Sequence, residues 1–245
     1  MKSKLILFII CILLWASCVV YETEVAICSS IHGLHKSNTN YTYEHLFNYI
    51  HDFNPDIIGV EIRQEDIDSS TTYLKNYYPF EMYEILEQNK SKMVLGTDWL
   101  GTSIKGKPIP QNYFNNLEVI QLSNKANADS IFQTSLVKLN KIAELKDNIT
   151  KNSSIAELND GRYDALNSQY YELLDSLYLG TPYQRIAEFY KMRDTKITER
   201  ILEIVDQNRG KKMIFILGAD HRSHAIESFI KMYKNEPNVK LLSIN

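Results

Sequence analysis

The sequence has few cysteines and no cluster of basic residues, and each absence excludes a class of protein. The chain of 245 residues has three cysteines. Cys11 lies within an apolar N-terminal run and Cys18 follows that run as a candidate lipidation site, so Cys28 alone would remain. A disulfide framework is then excluded, and Cys28 is predicted to be a buried free thiol. The net charge of −3 argues against polyanionic partners, nucleic acid included.

The N-terminus has the pattern of a bacterial export signal. A short positive stretch, MKSK, precedes the apolar run LILFIICILLWA, which is too short to span a membrane comfortably. Cys18 then follows Ala16 and Ser17, as the lipidated cysteine of a bacterial lipoprotein does. We therefore predict an export signal over residues 1–18 and a membrane-anchored lipoprotein of a bacterial cell envelope. Ordinary cleaved secretion and an uncleaved anchor remain alternatives.

Five short apolar runs, rich in Ile, Val and Leu, predict the strands of a central sheet. None alternates cleanly between apolar and polar residues, which is typical of strands buried on both faces of a parallel or mostly parallel sheet. Helical patterns separate them, so we predict one α/β domain over residues 19–245 with a mostly parallel sheet of about five strands flanked by helices. The predicted strands cover residues 24–29, 56–61, 92–97, 213–218 and 239–244.

The stretch from about residue 111 to 208 differs from the rest because it contains no convincing strand. Helical periodicity recurs along it, as in YDALNSQYYELLDSLYL and in PYQRIAEFYKMRDTKITERILEIVDQ. We interpret it as a large helical insertion before the fourth core strand.

Side chains of reactive types follow four of the five predicted strands. Ligands of open α/β sheets bind beyond the carboxyl ends of the strands, and in a parallel sheet those ends meet at one edge. Imidazole can act as a general base near neutral pH or bind a metal, and a carboxylate can orient that imidazole. The candidates are His32 and His35 after the first strand, Glu61 at the end of the second, Asp98 after the third, and His221 and His224 after the fourth.

The helix predicted around KMRDTKITERI (191–201) leads into the fourth strand, so Arg193 could reach the same edge. An ordinary ion pair of Arg193 and Asp194 on a helix face is the plainer alternative. Glu61 could likewise pair with a structural arginine, and Asp98 could be an N-cap or turn residue. His224 could simply cap or solvate its helix. Two other histidines, in a predicted helix without a suitably spaced acidic partner, are predicted to lie on the surface: His45 and His51.

These motifs, in this order, resemble a hydrolase superfamily that includes the TraB/TIKI-like proteins, the erythromycin esterase-like proteins and a haem-binding lipoprotein branch. SSIH (29–32) is similar to the Gly-Thr-x-His motif of the TraB/TIKI branch, and GADH (218–221) to its closing Gly-x-x-His. IHG (31–33) and MRDTKITERI (192–201) resemble the Thr-His-Gly motif and the Arg-Asp helix of the esterase branch. Looser matches are GVE (59–61) and GTD (96–98).

The resemblance implies roles for four residues. His32 would be a general base or metal ligand, Glu61 its paired carboxylate, Arg193 an oxyanion or substrate contact, and His221 the second-motif histidine. The branches differ in cofactor, so a divalent metal on His32, Glu61 and His221 and catalysis without metal both stay open. Additional candidates are His35, Asp98, Asp194 and His224.

Two classes of function follow from these residues. The first is a hydrolase that cleaves an ester or an amide or peptide bond of a small-molecule or peptide substrate. The second is a haem- or metal-binding surface lipoprotein without catalysis. A degenerate member with a structural or signalling role is a third, weaker alternative. For the hydrolase, substitution of His32 or of His221 is expected to remove activity and leave stability nearly unchanged, because both residues are predicted at the rim of the sheet.

Overall fold

The computed structural model describes residues 21–245 and contains a five-stranded sheet. The strands are β1 (Thr23–Ser30), β2 (Ile57–Arg63), β3 (Met93–Asp98), β4 (Lys212–Gly218) and β5 (Val239–Leu241). Their spatial order is β3-β2-β4-β1-β5, and every neighbouring pair is parallel. The predicted α/β fold with a central parallel sheet flanked by helices is confirmed. The fifth strand ends three residues earlier than its apolar run predicts.

Eleven α-helices lie within residues 21–245. They are α1 (Tyr43–Phe53), α2 (Thr71–Tyr77), α3 (Phe80–Gln88), α4 (Tyr113–Asn116), α5 (Glu118–Ala128), α6 (Ser130–Ser135), α7 (Val137–Asn152), α8 (Ile155–Leu158), α9 (Arg162–Tyr178), α10 (Gln184–Gln207) and α11 (Ala219–Tyr233). Short 3-10 helices occupy His32–Lys36, Gln64–Asp66 and Thr102–Ile104.

The central strands are buried because helices cover both faces of the sheet. Successive side chains of a strand point to opposite faces, so Ala26 and Cys28 of β1 pack in one core while Val25 and Ile27 pack in the other. Continuous apolar runs are the expected sequence of such strands. Cys28 is a buried free thiol, as predicted.

The segment predicted to be a helical insertion, residues 111–208, holds the helices α4 to α10 between β3 and β4. The long helix α10 joins this insertion to the sheet. Its first half packs in the core of the insertion through Ile186 and Ala187, and its second half packs against the sheet through Ile197 and Ile201. Arg193 lies between these halves, so α10 carries it to the boundary of insertion and sheet.

Two predictions concern residues outside the described part of the chain: the export signal over residues 1–18 and the lipidation of Cys18. Among residues 21–245, no helix combines the length and the apolar character needed to cross a membrane.

Candidate active site

The carboxyl ends of four parallel strands bring the candidate residues to one edge of the sheet. His32 follows β1, Glu61 lies near the end of β2, Asp98 ends β3, and His221 lies in the first turn of α11, directly after β4. The register of β1, β4 and β2 places Ser30 beside Gly218 and Val60 beside Ile216. These side chains line or adjoin one cavity of about 500 Å³, which helices α7, α9 and α10 cover from the insertion side.

Arg193 binds two of the strand-end carboxylates. Its Nη2 donates to Oε1 of Glu61 at 2.8 Å, and its Nε donates to Oδ1 of Asp98 at 2.9 Å. The side chain of Arg193 lines the cavity and is 18% exposed, and its Nη1 donates no hydrogen bond to any residue of 21–245. Arg193 therefore has donors left for a ligand. Asp98 also accepts the N–H of Trp99 at 2.7 Å, so the turn and the arginine share it.

Glu61 is buried and fixed at both oxygens. Oε1 accepts from Arg193, and Oε2 accepts the backbone N–H of Gly218 at 2.6 Å. Burial alone would raise the pKa of this carboxyl. The positive charges of His221 and Arg193 outweigh burial and hold the pKa well below its usual range. Glu61 is therefore a carboxylate throughout the physiological range.

His221 has a carboxylate at each of its ring nitrogens. Nδ1 lies 2.5 Å from Oδ1 of Asp194, and Nε2 lies 3.4 Å from Oε1 of Glu61. Burial disfavours the imidazolium, but Glu61 and Asp194 outweigh burial and raise the pKa of His221 to about 10. The ring is therefore a cation at neutral pH. Asp194 contacts this histidine, which resolves the alternative of a simple helix-face pair with Arg193.

His32 has one nitrogen held by protein and one at the cavity. Its backbone is left-handed, with φ of 49°. Nδ1 lies 2.7 Å from Oε1 of Glu81, and Nε2 approaches Gly218 so closely that a Cβ there would lie 2.6 Å from it. Only glycine fits at position 218 without displacing the ring. Burial lowers the pKa of His32, but the contact with Glu81 and the charge of Glu61 outweigh it and raise the pKa above the usual value.

Two candidate histidines are not brought into this cavity. His35 is buried behind His32, where Nδ1 donates to the carbonyl oxygen of Tyr41 at 2.8 Å, and burial lowers its pKa. His224 lies on α11 in a separate depression, whose lining also includes Asp194 and Glu227. Neither histidine lines the cavity of about 500 Å³, and the position of His224 favours its plainer interpretation. Outside the site, His45 joins the capping box of α1 through Thr42.

Sequence reasoning missed Glu81 and the wall that the insertion contributes. Glu81 is fully buried in the first turn of α3. Its position four residues before the buried Ile85 puts a charge on the apolar face of that helix, which was the available signal. The wall could not be assigned, because no pattern in the insertion tells which of its residues face the sheet. Its polar and aromatic members are Lys146, Asp147, Thr150, Tyr163, Tyr170, Tyr171 and Tyr190, and Asp220 of α11 lines the cavity beside them.

The arrangement does not fit a divalent metal on His32, Glu61 and His221. Both oxygens of Glu61 accept hydrogen bonds from Arg193 and Gly218, and both nitrogens of His221 face carboxylates. In the part of the chain that the structure describes, no group of three or more His, Cys, Asp or Glu side chains could hold a metal ion. The metal alternative is therefore replaced by an ion-pair network centred on Arg193.

The resemblance to the hydrolase superfamily stays a prediction after comparison with known proteins. The function must be argued from the geometry of the site, because no family model matches the chain, and neither a curated protein nor a solved structure matches it significantly.

Proposed function

We propose that this protein hydrolyses an ester or amide bond without a metal, with His32 as general base and Arg193 as the donor to the oxyanion. One observation carries the proposal: a histidine nitrogen and a guanidinium with free donors reach the same cavity from different elements of the fold. A general base and an oxyanion donor around one space are what acyl transfer to water requires.

The reaction needs one proton to move to His32 and back. Nε2 of His32 takes a proton from water while the water oxygen bonds to the carbonyl carbon of the substrate. The carbonyl oxygen becomes an oxyanion, which the free Nη1 hydrogens of Arg193 stabilise. The intermediate then collapses, its C–O or C–N bond breaks, and the leaving group takes the proton from Nε2. A carboxylic acid and an alcohol or amine result.

Glu61 and His221 would support this chemistry without moving a proton at neutral pH. Glu61 orients the guanidinium through Oε1 and is itself held by the N–H of Gly218. The imidazolium of His221 adds a second positive charge at the edge where the oxyanion forms. Fixed charges of this kind stabilise a transition state without reorganising, and that is the basis of their catalytic effect.

The test is a panel of chromogenic esters and amides assayed with the full chain, with and without EDTA. We expect hydrolysis that EDTA leaves unchanged and that His32→Ala lowers by about 10²–10⁴-fold. His51→Ala is the matched control, because His51 is exposed and its ring bonds to no side chain of residues 21–245 except Asp52. Loss of activity in EDTA would contradict the metal-free mechanism, and full activity of His32→Ala would contradict the assignment of the base.

Haem binding without catalysis is the second candidate, and the tyrosines of the wall are the observation that favours it. Iron would be held by a phenolate or an imidazole. Burial works against the phenolate, because it raises the pKa of Tyr170 to about 12. Titration with haem, followed by visible absorption spectroscopy, distinguishes the candidates. If the Soret band shifts saturably and the protein cleaves no substrate of the panel, haem binding would replace the hydrolase proposal.

We also propose that Cys18 anchors the protein to a membrane. β1 begins at Thr23, only five residues later, and the site lies at the opposite end of that strand. The cavity would therefore face away from the lipid, towards substrates in solution. Cys18→Ser should release the protein from the membrane fraction or block its processing. A variant that still sediments with membranes after signal cleavage, with no acyl chain on the parent by mass spectrometry, would contradict the anchor.

A further inference from the structure

The carboxylate behind His32 comes from a helix and not from the sheet edge. Oε1 of Glu81 accepts from Nδ1 of His32 at 2.7 Å and from the hydroxyl of Ser30 at 2.7 Å. Glu81 is fully buried, and Oε2 has no hydrogen-bond partner among residues 21–245. A buried carboxylate is costly unless paired. The network around Oε1 is therefore the reason that this charge is tolerated.

A second layer of contacts holds the loop that carries His32. The Ser30 hydroxyl oxygen accepts the backbone N–H of His32 at 3.2 Å. Because Nδ1 of His35 donates to the carbonyl oxygen of Tyr41, Nε2 of His35 is free to accept, and it accepts the N–H of Ile31 at 3.2 Å. The backbone N–H groups of Ile31 and His32 therefore both donate to side chains.

The restraint coincides with a strained backbone. His32 has φ of 49°, a conformation that is unfavourable for a non-glycine residue and persists only where its surroundings enforce it. Ser30, His35 and Glu81 enforce it from three directions. They aim Nε2 at Gly218 and the cavity, and the contact with Glu81 puts the proton of neutral His32 on Nδ1.

We propose that Glu81 is the positioning residue of His32, which fixes its tautomer and ring orientation so that the Nε2 lone pair faces the cavity. The catalytic meaning of this inference rests on the proposed function, whereas the tautomer itself does not. A failed hydrolysis assay and a wrong tautomer are therefore separate outcomes.

The experiment is nitrogen-15 NMR of the histidine rings of the full chain in detergent micelles, followed from pH 5 to 10. In the wild type we expect neutral His32 to carry its proton on Nδ1. Glu81→Gln keeps the shape of the side chain and removes its charge, so the pKa of His32 should fall by about 1–3 units. If a substrate has been found, kcat should fall at least about tenfold with little change in KM.

Glu87→Gln is the matched control, since Glu87 lies on the same helix and bonds Thr71 and Lys90 instead. It should leave the His32 titration unchanged. A His32 pKa that is the same in Glu81→Gln and the wild type would overturn the proposal. A wild-type ring that carries its proton on Nε2 would overturn it as well, and that measurement needs no variant to fold.

Discussion

The two histidine–carboxylate pairs of the site are built from the same groups but leave different atoms free. His221 faces Asp194 with one nitrogen and Glu61 with the other. His32 pairs with one carboxylate, that of Glu81, and its second nitrogen lies beside Gly218 at the cavity. The His221 ring is therefore a cation between two carboxylates. The His32 ring, in contrast, has a free Nε2 that can accept a proton and release it again.

This difference explains how one site can hold two histidines without two bases. A group acts as a base only if its neutral form is populated near the working pH. Against burial, Glu61 and Asp194 raise the pKa of His221 to about 10, and the contact with Glu81 and the charge of Glu61 raise the pKa of His32 above its usual value. In the proposed mechanism the role of each ring follows from its carboxylates: His221 has one at each nitrogen and stays charged, whereas His32 has one at Nδ1 only and can act as a base.

The contrast between the two histidines would be wrong if their removal lowered the stability of the protein equally. His221→Ala leaves Asp194 and Glu61 buried without this cation, which typically costs about 3–5 kcal/mol of unfolding free energy. His32→Ala should cost less, because it leaves one buried carboxylate, Glu81, without its imidazole instead of two, and Glu81 keeps the hydrogen bond from Ser30. Urea denaturation of both variants measures the difference. Equal stability of the two would show that the His221 network is not a structural ion pair.

This result would also revise the expectation from sequence, which places both histidines at the rim. The structure puts His221 in the interior, where it is 7% exposed. The sequence predicted the strands because their apolar runs are continuous, and it predicted the common edge because parallel strands end together. Partner choice was not predictable: Asp194 is adjacent to Arg193 in sequence, yet it binds His221 while Arg193 binds Glu61 and Asp98. The partner that each side chain reaches depends on how α10 is rotated about its own axis. Packing of α10 against both the insertion and the sheet sets that rotation.

The pH dependence of activity sharpens the contrast, because the two rings should act on opposite limbs of one profile. In the proposed mechanism His32 must be neutral to act, so kcat/KM should rise as pH rises through its pKa, which lies above 6.5. His221 must stay charged, so the rate should fall again near pH 10. Glu81→Gln should move the lower limb to lower pH and leave the upper limb in place.

Stability should follow the His221 titration as well. Its pKa is higher in the folded chain, about 10, than the ordinary value of 6.5, so its contribution is complete below pH 6.5 and is lost as pH rises towards 10. Between pH 6.5 and 10, the free energy of unfolding measured with urea should fall more steeply for the wild type than for His221→Ala. Parallel curves for the two proteins would contradict the raised pKa.

The smallest expected effect concerns the insertion wall, next to His221 but not in contact with its ring nitrogens. Tyr163 donates to Oδ1 of Asp220 at 2.5 Å, and Lys146 binds the same oxygen at 2.9 Å. Tyr163→Phe removes one hydrogen bond and keeps the buried ring, so we expect a loss of about 1 kcal/mol in stability. KM should rise, because Asp220 is a cavity wall residue, while kcat and both pH limbs stay as in the wild type. Tyr178→Phe, in the core of the insertion and away from the cavity, is the matched control. A fall in kcat as large as that of His32→Ala would mean that the wall takes part in the chemistry, and the division between reacting edge and binding wall would be wrong.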